Sequence, residues 1–315
     1  MTASRANPAP PPCPITGKPA TRLIQDIPRS LLIQLWRYTG RVELGHLLGG
    51  KGPIRFWESP CGLAFFDPMI EGDEALYPAF YRNTGAERWL LGDPGAERSE
   101  FRVAAGMIGP DERVLDVGCG EAAFARHVPH AHYVGLDPYA PASSGPEILR
   151  RDIHTHAAEA PEAYDAVCAF QVLEHSAEPL AVARAMVRAL RPGGLFFVGV
   201  PSWPSPLVEI PNFPANAPPH HLTWWTPAAL RALCDELGLD VVSTGELPPQ
   251  KQHKLIHWMA WFSPIKARGP YYRKAWSWHL SGLVAFLLAT ALGPVLKLPP
   301  RARSLDCFVA ARKPR

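Results

Sequence analysis

Charge of one sign, paired cysteines and long apolar runs are all scarce in this 315-residue chain. Its 32 basic and 29 acidic residues leave a net charge of +3, spread along the sequence, so the basic stripe of a nucleic-acid reader is missing and only the C-terminal part is locally basic. Six cysteines without paired framework spacing exclude a disulfide-stapled secreted scaffold and point to reduced thiols in the cytoplasm. The chain opens on Ala, Pro and Ser, without the charged-then-apolar order of a signal segment. The longest apolar stretch, Leu280 to Leu296, contains Gly293-Pro294, which shortens its helix below the roughly 20 residues of a membrane span. What is present is 47% apolar content, enough for a packed core in one large domain with an appendage, or in two domains.

The most informative stretch runs from Val114 to Phe124, V-L-D-V-G-C-G-E-A-A-F. A short apolar strand closes on Asp116, and Gly118 and Gly120 let the backbone turn tightly and approach a ligand with no Cβ in the way. From Glu121 the pattern reads as a helix whose free N–H groups face the same crevice. The glycines also satisfy the dinucleotide pattern G-x-G-x-x-A. Asp116 weighs against that reading, because its carboxylate would face a pyrophosphate at close range. The same carboxylate suits a cationic amino group, which the methionine end of S-adenosylmethionine (SAM) carries.

Here the chain resembles the class I SAM-dependent methyltransferases, and within them the small-molecule enzymes that include the ubiquinone-biosynthesis O-methyltransferases. The resemblance covers roughly Arg113 to Thr244 and the last strand. It implies an α/β fold: a Rossmann-like seven-stranded methyltransferase sheet with helices on both faces, a small N-terminal module, and a helical insertion before the last strand. It also implies SAM as cofactor, with Asp116, Gly118, Cys119 and Gly120 in the turn. Asp137 and Pro138 follow the second strand, His132 to Asp137, and Asp137 would accept the ribose hydroxyls through charge-assisted hydrogen bonds of about 1.5 to 3 kcal/mol. Asp152 and Ile153 follow a third strand beginning at Ile148 and correspond to the acid beside the adenine amino group. Phe170 and Gln171 end the fourth strand, whose tail reads V-L-E-H. Arg191-Pro192-Gly193-Gly194 precedes the fifth strand, Leu195 to Val200. Glu174 is read equally well as a first-turn acid favoured by a helix dipole.

Punctuation divides the chain into 1–12, rich in proline and disordered; 13–70, a small module; 71–108, a helical cap with Tyr77, Phe80, Tyr81, Trp89 and Leu90; 109–245 with 304–315, the core; and 246–303, the insertion. The small module resembles a zinc ribbon in which one cysteine of each pair is missing. Cys13 and Cys61 remain, Thr16 and Glu58 stand in the other two places, and structural zinc needs four donors. In the core, Pro179 to Leu190 reads as a crossover helix, and Thr226-Pro227 starts a helix that Gly238 ends. Val241 to Thr244 and Asp306 to Ala311 read as the sixth and seventh strands.

Three histidines compete as general base for the acceptor: His175 after the fourth strand, and His220 and His221 in the string P-P-H-H-L-T-W-W. A structural role in packing this loop is the competing reading. No metal site is expected, since no carboxylate accompanies the two adjacent histidines in sequence. The insertion surrounds its apolar helix with Trp258, Trp261, Trp276 and Trp278 and with basic residues, so it reads as a peripheral membrane contact through 280–296 or as a hydrophobic lid. The expected activity is methyl transfer from SAM to an oxygen, less readily nitrogen or carbon, of a small acceptor, lipid-linked or glycan-linked. The expected setting is the cytoplasm or its membrane surface, with no nucleic-acid partner and the oligomeric state open. The alternative is a SAM-fold binding or scaffold protein without turnover, recruited to a membrane.

Overall fold

The computed structural model describes residues 8–84, 98–140, 147–300 and 302–315. Trp89, Leu90 and Arg301 lie outside the described residues. The N-terminal part comprises β1 (Arg22–Ile27), α1 (Arg29–Leu35), α2 (Gly45–Leu48), β2 (Ile54–Glu58) and β3 (Ala64–Asp67). Order begins before residue 13: Ala20 N–H donates to the Pro11 carbonyl at 2.8 Å, and Pro12 pairs with Pro19. Two helices follow, α3 (Leu76–Thr84) and α4 (Ser99–Ala105).

The core then alternates β4 (Arg113–Val117), β5 (His132–Leu136), β6 (Glu147–Leu149), α5 (Ile153–Glu159), β7 (Tyr164–Phe170), α6 (Pro179–Ala189) and β8 (Leu190–Pro201). It closes with the two-residue β9 (Thr223–Trp224), α7 (Pro227–Leu237), β10 (Asp240–Glu246), the insertion helices α8 (Lys254–Phe262) and α9 (Trp276–Leu292), and β11 (Asp306–Arg312).

Seven strands form one sheet in the order β10-β11-β8-β7-β4-β5-β6. The five from β8 to β6 are parallel, and β11 runs antiparallel to both β8 and β10. This is the Rossmann-like methyltransferase sheet. Its central strands are buried on both faces, as parallel strands must be when helices cover each side. Alternation sorts their residues: Leu115, Val117, Val167, Ala169 and Val198 face the core under α6 and α7. Val114, Ala166, Cys168 and Phe197 face a second core closed by Phe101 and Ala104 of α4 and by Phe124.

Local rules set the helix ends. Thr226 caps α7 by accepting the Ala229 N–H at 3.0 Å, Pro227 occupies the first helical position, and Gly238 ends the helix at φ +65°. The segment after the glycine turn departs from the expected helix. Ala122 takes a left-handed conformation at φ 56°, and only a 3-10 turn, Ala123–His127, follows. The third strand is shorter than its sequence suggests, because Asp152 ends the extended segment by capping α5.

A second sheet, β1-β2-β3-β9, joins the N-terminal module to the core loop that carries the paired histidines. Phe65 pairs with Thr223, and Phe66 N–H donates to the Leu222 carbonyl at 3.0 Å. Cys13 and Cys61 meet at 3.8 Å between sulfurs, while Glu58 is bound to Arg22 at 2.6 Å and Thr16 Oγ1 accepts the Lys18 N–H. A third core packs Trp36, Phe56 and Phe66 of this module against Trp203 and Phe213 of the loop and against Met259 and Ala285 of the insertion. Helix α9 turns its small residues Ser281, Ala285 and Ala289 inward and leaves Trp276, Leu280, Leu283, Leu287 and Leu292 exposed. Among the described residues, no helix is long and apolar enough to cross a membrane.

Candidate active site

A cavity of about 420 Å³ opens at the C-terminal edge of the parallel strands, where an open α/β sheet offers its ligand crevice. One end is the glycine turn. Gly118 has φ +70°, and a Cβ there would meet Val172 Cγ2 at 2.5 Å, so only glycine lets the turn pack on the segment after β7. Gly120 has φ +52°, and a Cβ there would meet nothing within 4 Å. The turn therefore presents bare backbone to open space, which is the cradle a nucleoside cofactor requires.

Two acids flank the turn. Asp137, at the end of β5, accepts the Gly120 N–H at 3.0 Å through one oxygen and the Tyr139 N–H at 2.8 Å through the other. Its carboxylate is thus held in place with lone pairs still free for a diol. Asp116 is 4% exposed and accepts the Tyr133 hydroxyl at 2.7 Å. Burial pushes its carboxyl up to about 7, only partly offset by hydrogen bonds from Tyr133 and Cys168. A carboxyl that ionises near neutrality and lies on the cavity is suited to an ammonium partner. Cys119, Phe170 and Gln171 line the same end. The residues present fit SAM.

Three expected cofactor residues are elsewhere. Asp152 is exposed and spends both carboxylate oxygens on Thr155, taking its N–H at 2.9 Å and its hydroxyl at 2.7 Å. These bonds hold its carboxyl below the usual range. Ile153 is buried in the core beside it, and Pro138 is exposed; none of the three lines the cavity.

The other end of the cavity gathers Tyr77, Glu174, His175, His220 and His221. The rings of His220 and His221 lie 4.7 and 5.1 Å from that of His175. His175 Nδ1 donates to the His220 carbonyl at 2.6 Å, and His220 Nδ1 donates to the Ala215 carbonyl at 2.9 Å. Burial keeps all three neutral: His175 falls to about 4, and His220 and His221 fall well below the ordinary imidazole range. Such imidazoles are weak bases, better suited to accepting a hydrogen bond than to taking a proton outright.

Glu174 is not a solvated first-turn acid. It is fully buried, and neither carboxylate oxygen has a hydrogen-bond partner among the described residues. Burial drives its carboxyl well upward. It lies 3.7 Å from Nε2 of His175, its neighbour in sequence, and the fold brings this pair to the same end of the cavity as His220 and His221.

A third wall was not anticipated from sequence. Asp306, which burial pushes up to about 6, accepts from Gln171 at 3.2 Å and from Gln250 at 3.3 Å, and His253 and Arg98 line the cavity near it. Glu100, fully buried, accepts from the same Gln250 amide at 3.1 Å. The available signal was topological: the last strand runs antiparallel, so its first residue, opposite Pro201, sits at the ligand edge.

Comparisons with known proteins find methyltransferases. Residues 94–244 match the family model of a methyltransferase domain. The chain is 32% identical over 108 residues to a ubiquinone biosynthesis O-methyltransferase of Aeromonas salmonicida, and 36% identical over 107 residues to one of Aliivibrio fischeri. Each alignment covers 30% of this chain and 44% and 45% of those proteins, so the chain spans less than half the length of the curated relatives it matches. Among solved structures, a SAM-dependent methyltransferase from Archaeoglobus fulgidus is similar over 74% of this chain and all of its own (TM-score 0.48, 16% identity). A Burkholderia thailandensis 1,6-didemethyltoxoflavin-N1-methyltransferase is similar over 83% of this chain and 96% of its own (TM-score 0.46, 12% identity). The matched residues 94–244 contain the glycine turn, both flanking acids and all three histidines of the cavity.

Proposed function

We propose that the protein is a SAM-dependent methyltransferase that methylates an oxygen of a small, largely apolar acceptor held at the histidine end of the cavity. The single observation that carries this reading is the continuity of one cavity from the Gly118–Gly120 turn and its two acids to Tyr77 and the three histidines. SAM supplies an already activated methyl group for in-line displacement. The chain's own part is to bind, orient and exclude water. Asp137 would fix the ribose, Asp116 the ammonium, and the bare turn the body of the cofactor. Leu207, Phe213 and Ile256 give the far end an apolar lining, and the imidazole lone pairs would align the acceptor hydroxyl. Holding nucleophile and methyl in contact is worth about 7 to 11 kcal/mol, against about 3 to 5 kcal/mol for a general base, so positioning dominates.

The acceptor's setting follows from α9. Its outward face exposes Trp276, Leu280, Leu283 and Leu287, with Lys266, Arg268, Arg273 and Lys274 nearby in sequence, the combination an anionic bilayer surface favours. A lipid-linked acceptor presented at that surface fits the apolar end of the cavity. The test is calorimetry with SAM, followed by transfer of labelled methyl to a membrane extract with mass spectrometry of the product. Binding without label transfer to any extract component would leave a binding protein and end the catalytic reading.

A further inference from the structure

The two segments that build the histidine end are locked together by backbone: Leu222 N–H donates to the Glu174 carbonyl at 2.7 Å. Within that frame, one ring nitrogen from each of His175, His220 and His221 lies within 4.8 Å of the other two. Their hydrogen bonds fix the tautomers. His175 and His220 each spend Nδ1–H on a backbone carbonyl, so each presents an Nε2 lone pair. Binding the second ring nitrogen to a carbonyl is how proteins orient a metal-ligating imidazole. His220 Nε2 and His221 Nδ1 are buried with no hydrogen-bond partner among the described residues.

Glu174 is the second, independent observation. Both of its oxygens are buried on the same cavity without a hydrogen-bond partner among the described residues, and its Oε1 is 3.7 Å from His175 Nε2. An ionised carboxylate so placed costs several kcal/mol unless a cation meets it. Three neutral imidazoles form a nitrogen donor set, with one carboxylate beside it, which suits a borderline divalent ion of the first transition row and is ill suited to Mg²⁺ or Ca²⁺. On a tetrahedral ion with bonds of about 2.0 to 2.1 Å, donor atoms stand about 3.4 Å apart. The three imidazole nitrogens, within 4.8 Å of one another, reach it by closing through up to about 1.4 Å.

We propose that His175, His220 and His221 form a three-ligand site for one divalent transition ion of the Zn²⁺ class at the acceptor end of the cavity, with the Glu174 carboxylate beside His175 as the charge that balances the ion. The ion's free side faces the cavity, where, on the methyl-transfer reading, it would hold the acceptor oxygen beside the cofactor. The ion site itself stands on the donor geometry, and its role toward the acceptor rests on that reading.

The full-length protein, stripped with a chelator, is titrated with Co²⁺. The expected result is one ion per chain with visible d–d absorption, no near-ultraviolet sulfur-to-metal band, and displacement by Zn²⁺. His220→Ala and His221→Ala should each weaken binding by more than about 100-fold, and the isosteric Glu174→Gln by at least tenfold, exceeding or matching what outer-shell changes cost a metal site. Cys13→Ser with Cys61→Ser should change nothing. SAM calorimetry on the same variants reports folding, and Glu174→Gln decides if a histidine variant fails to fold. No Co²⁺ binding, a sulfur band lost with the cysteines, or wild-type affinity in the folded variants would overturn the proposal. A wild type with the cobalt spectrum but without SAM binding would sink the methyltransferase reading and leave the ion site standing.

Discussion

Cofactor binding should release a proton near neutral pH, because Asp116 sits buried with its carboxyl pushed up to about 7. An unfolded aspartate ionises near 3.9, so the difference of about three pK units corresponds to about 4 kcal/mol. The sign is fixed by which state holds the proton. Between about pH 4 and pH 7 the folded apo protein binds more protons at this group than the unfolded chain, so its contribution to stability is full below pH 4 and is lost as pH rises to 7. An ammonium about 4 Å away, at an effective dielectric of 20, returns about 4 kcal/mol to the ionised form and cancels the loss. Apparent SAM affinity should therefore fall about tenfold from pH 8 to pH 6 and level off above pH 8. Titration calorimetry at pH 7 in two buffers of different ionisation enthalpy should report release of roughly half a proton per SAM bound. Asp116→Asn should bind more weakly, with neither proton release nor pH dependence centred near 7. Equal affinity at pH 6 and 8, or the same release in the variant, would show that Asp116 does not meet the ammonium.

Three further outcomes follow from the same geometry. Asp137→Ala should weaken SAM at least tenfold with little effect on the thermal midpoint, since the carboxylate bonds backbone N–H groups of the turn and packs no core; calorimetry checks it. Asp152→Ala should lower stability by about 1 kcal/mol through loss of the α5 cap while leaving SAM affinity unchanged, which a denaturant melt and calorimetry on one sample separate. Replacing Leu280, Leu283 and Leu287 by Ser should abolish sedimentation with anionic liposomes without lowering SAM affinity, and high salt should weaken the wild-type association; a wild type that stays in the supernatant removes the membrane contact.

The cofactor half of the site was legible in the sequence because one short segment encodes it. The strand, the acid, both glycines and the second strand-end acid lie between Val114 and Asp137, and local rules for turns and parallel strands place them together. At Asp152 two local readings coincide: the acid after a third strand and the N-cap of the next helix are the same residue type in the same place, and the structure shows the cap, with Thr155 as its partner. The acceptor half was legible only in part: the sequence singles out His175, His220 and His221, but not the Glu174 and Asp306 that line the cavity with them. Glu174, His220 and His221 are separated by about forty-five positions of sequence, Asp306 stands far beyond them, and their meeting depends on a sheet pairing that no local pattern announces. The insertion is apolar in sequence. Its inward face of Ser281, Ala285 and Ala289 shows which side packs, information that small residues spaced four apart do carry.

The pairing of β3 with β9 makes the N-terminal module the support behind the loop that forms the acceptor end of the cavity. Trp36 Nε1–H reaches the Pro218 carbonyl at 3.1 Å and Phe66 N–H holds Leu222, so both flanks of His220-His221 hang from residues that precede the matched segment 94–244. A chain trimmed to the methyltransferase segment would keep the cofactor turn and lose the scaffold that sets the histidines. Exchanging the first seventy residues between relatives would then act as a change of substrate pocket, carried out from a part of the chain that lies away from the cofactor turn.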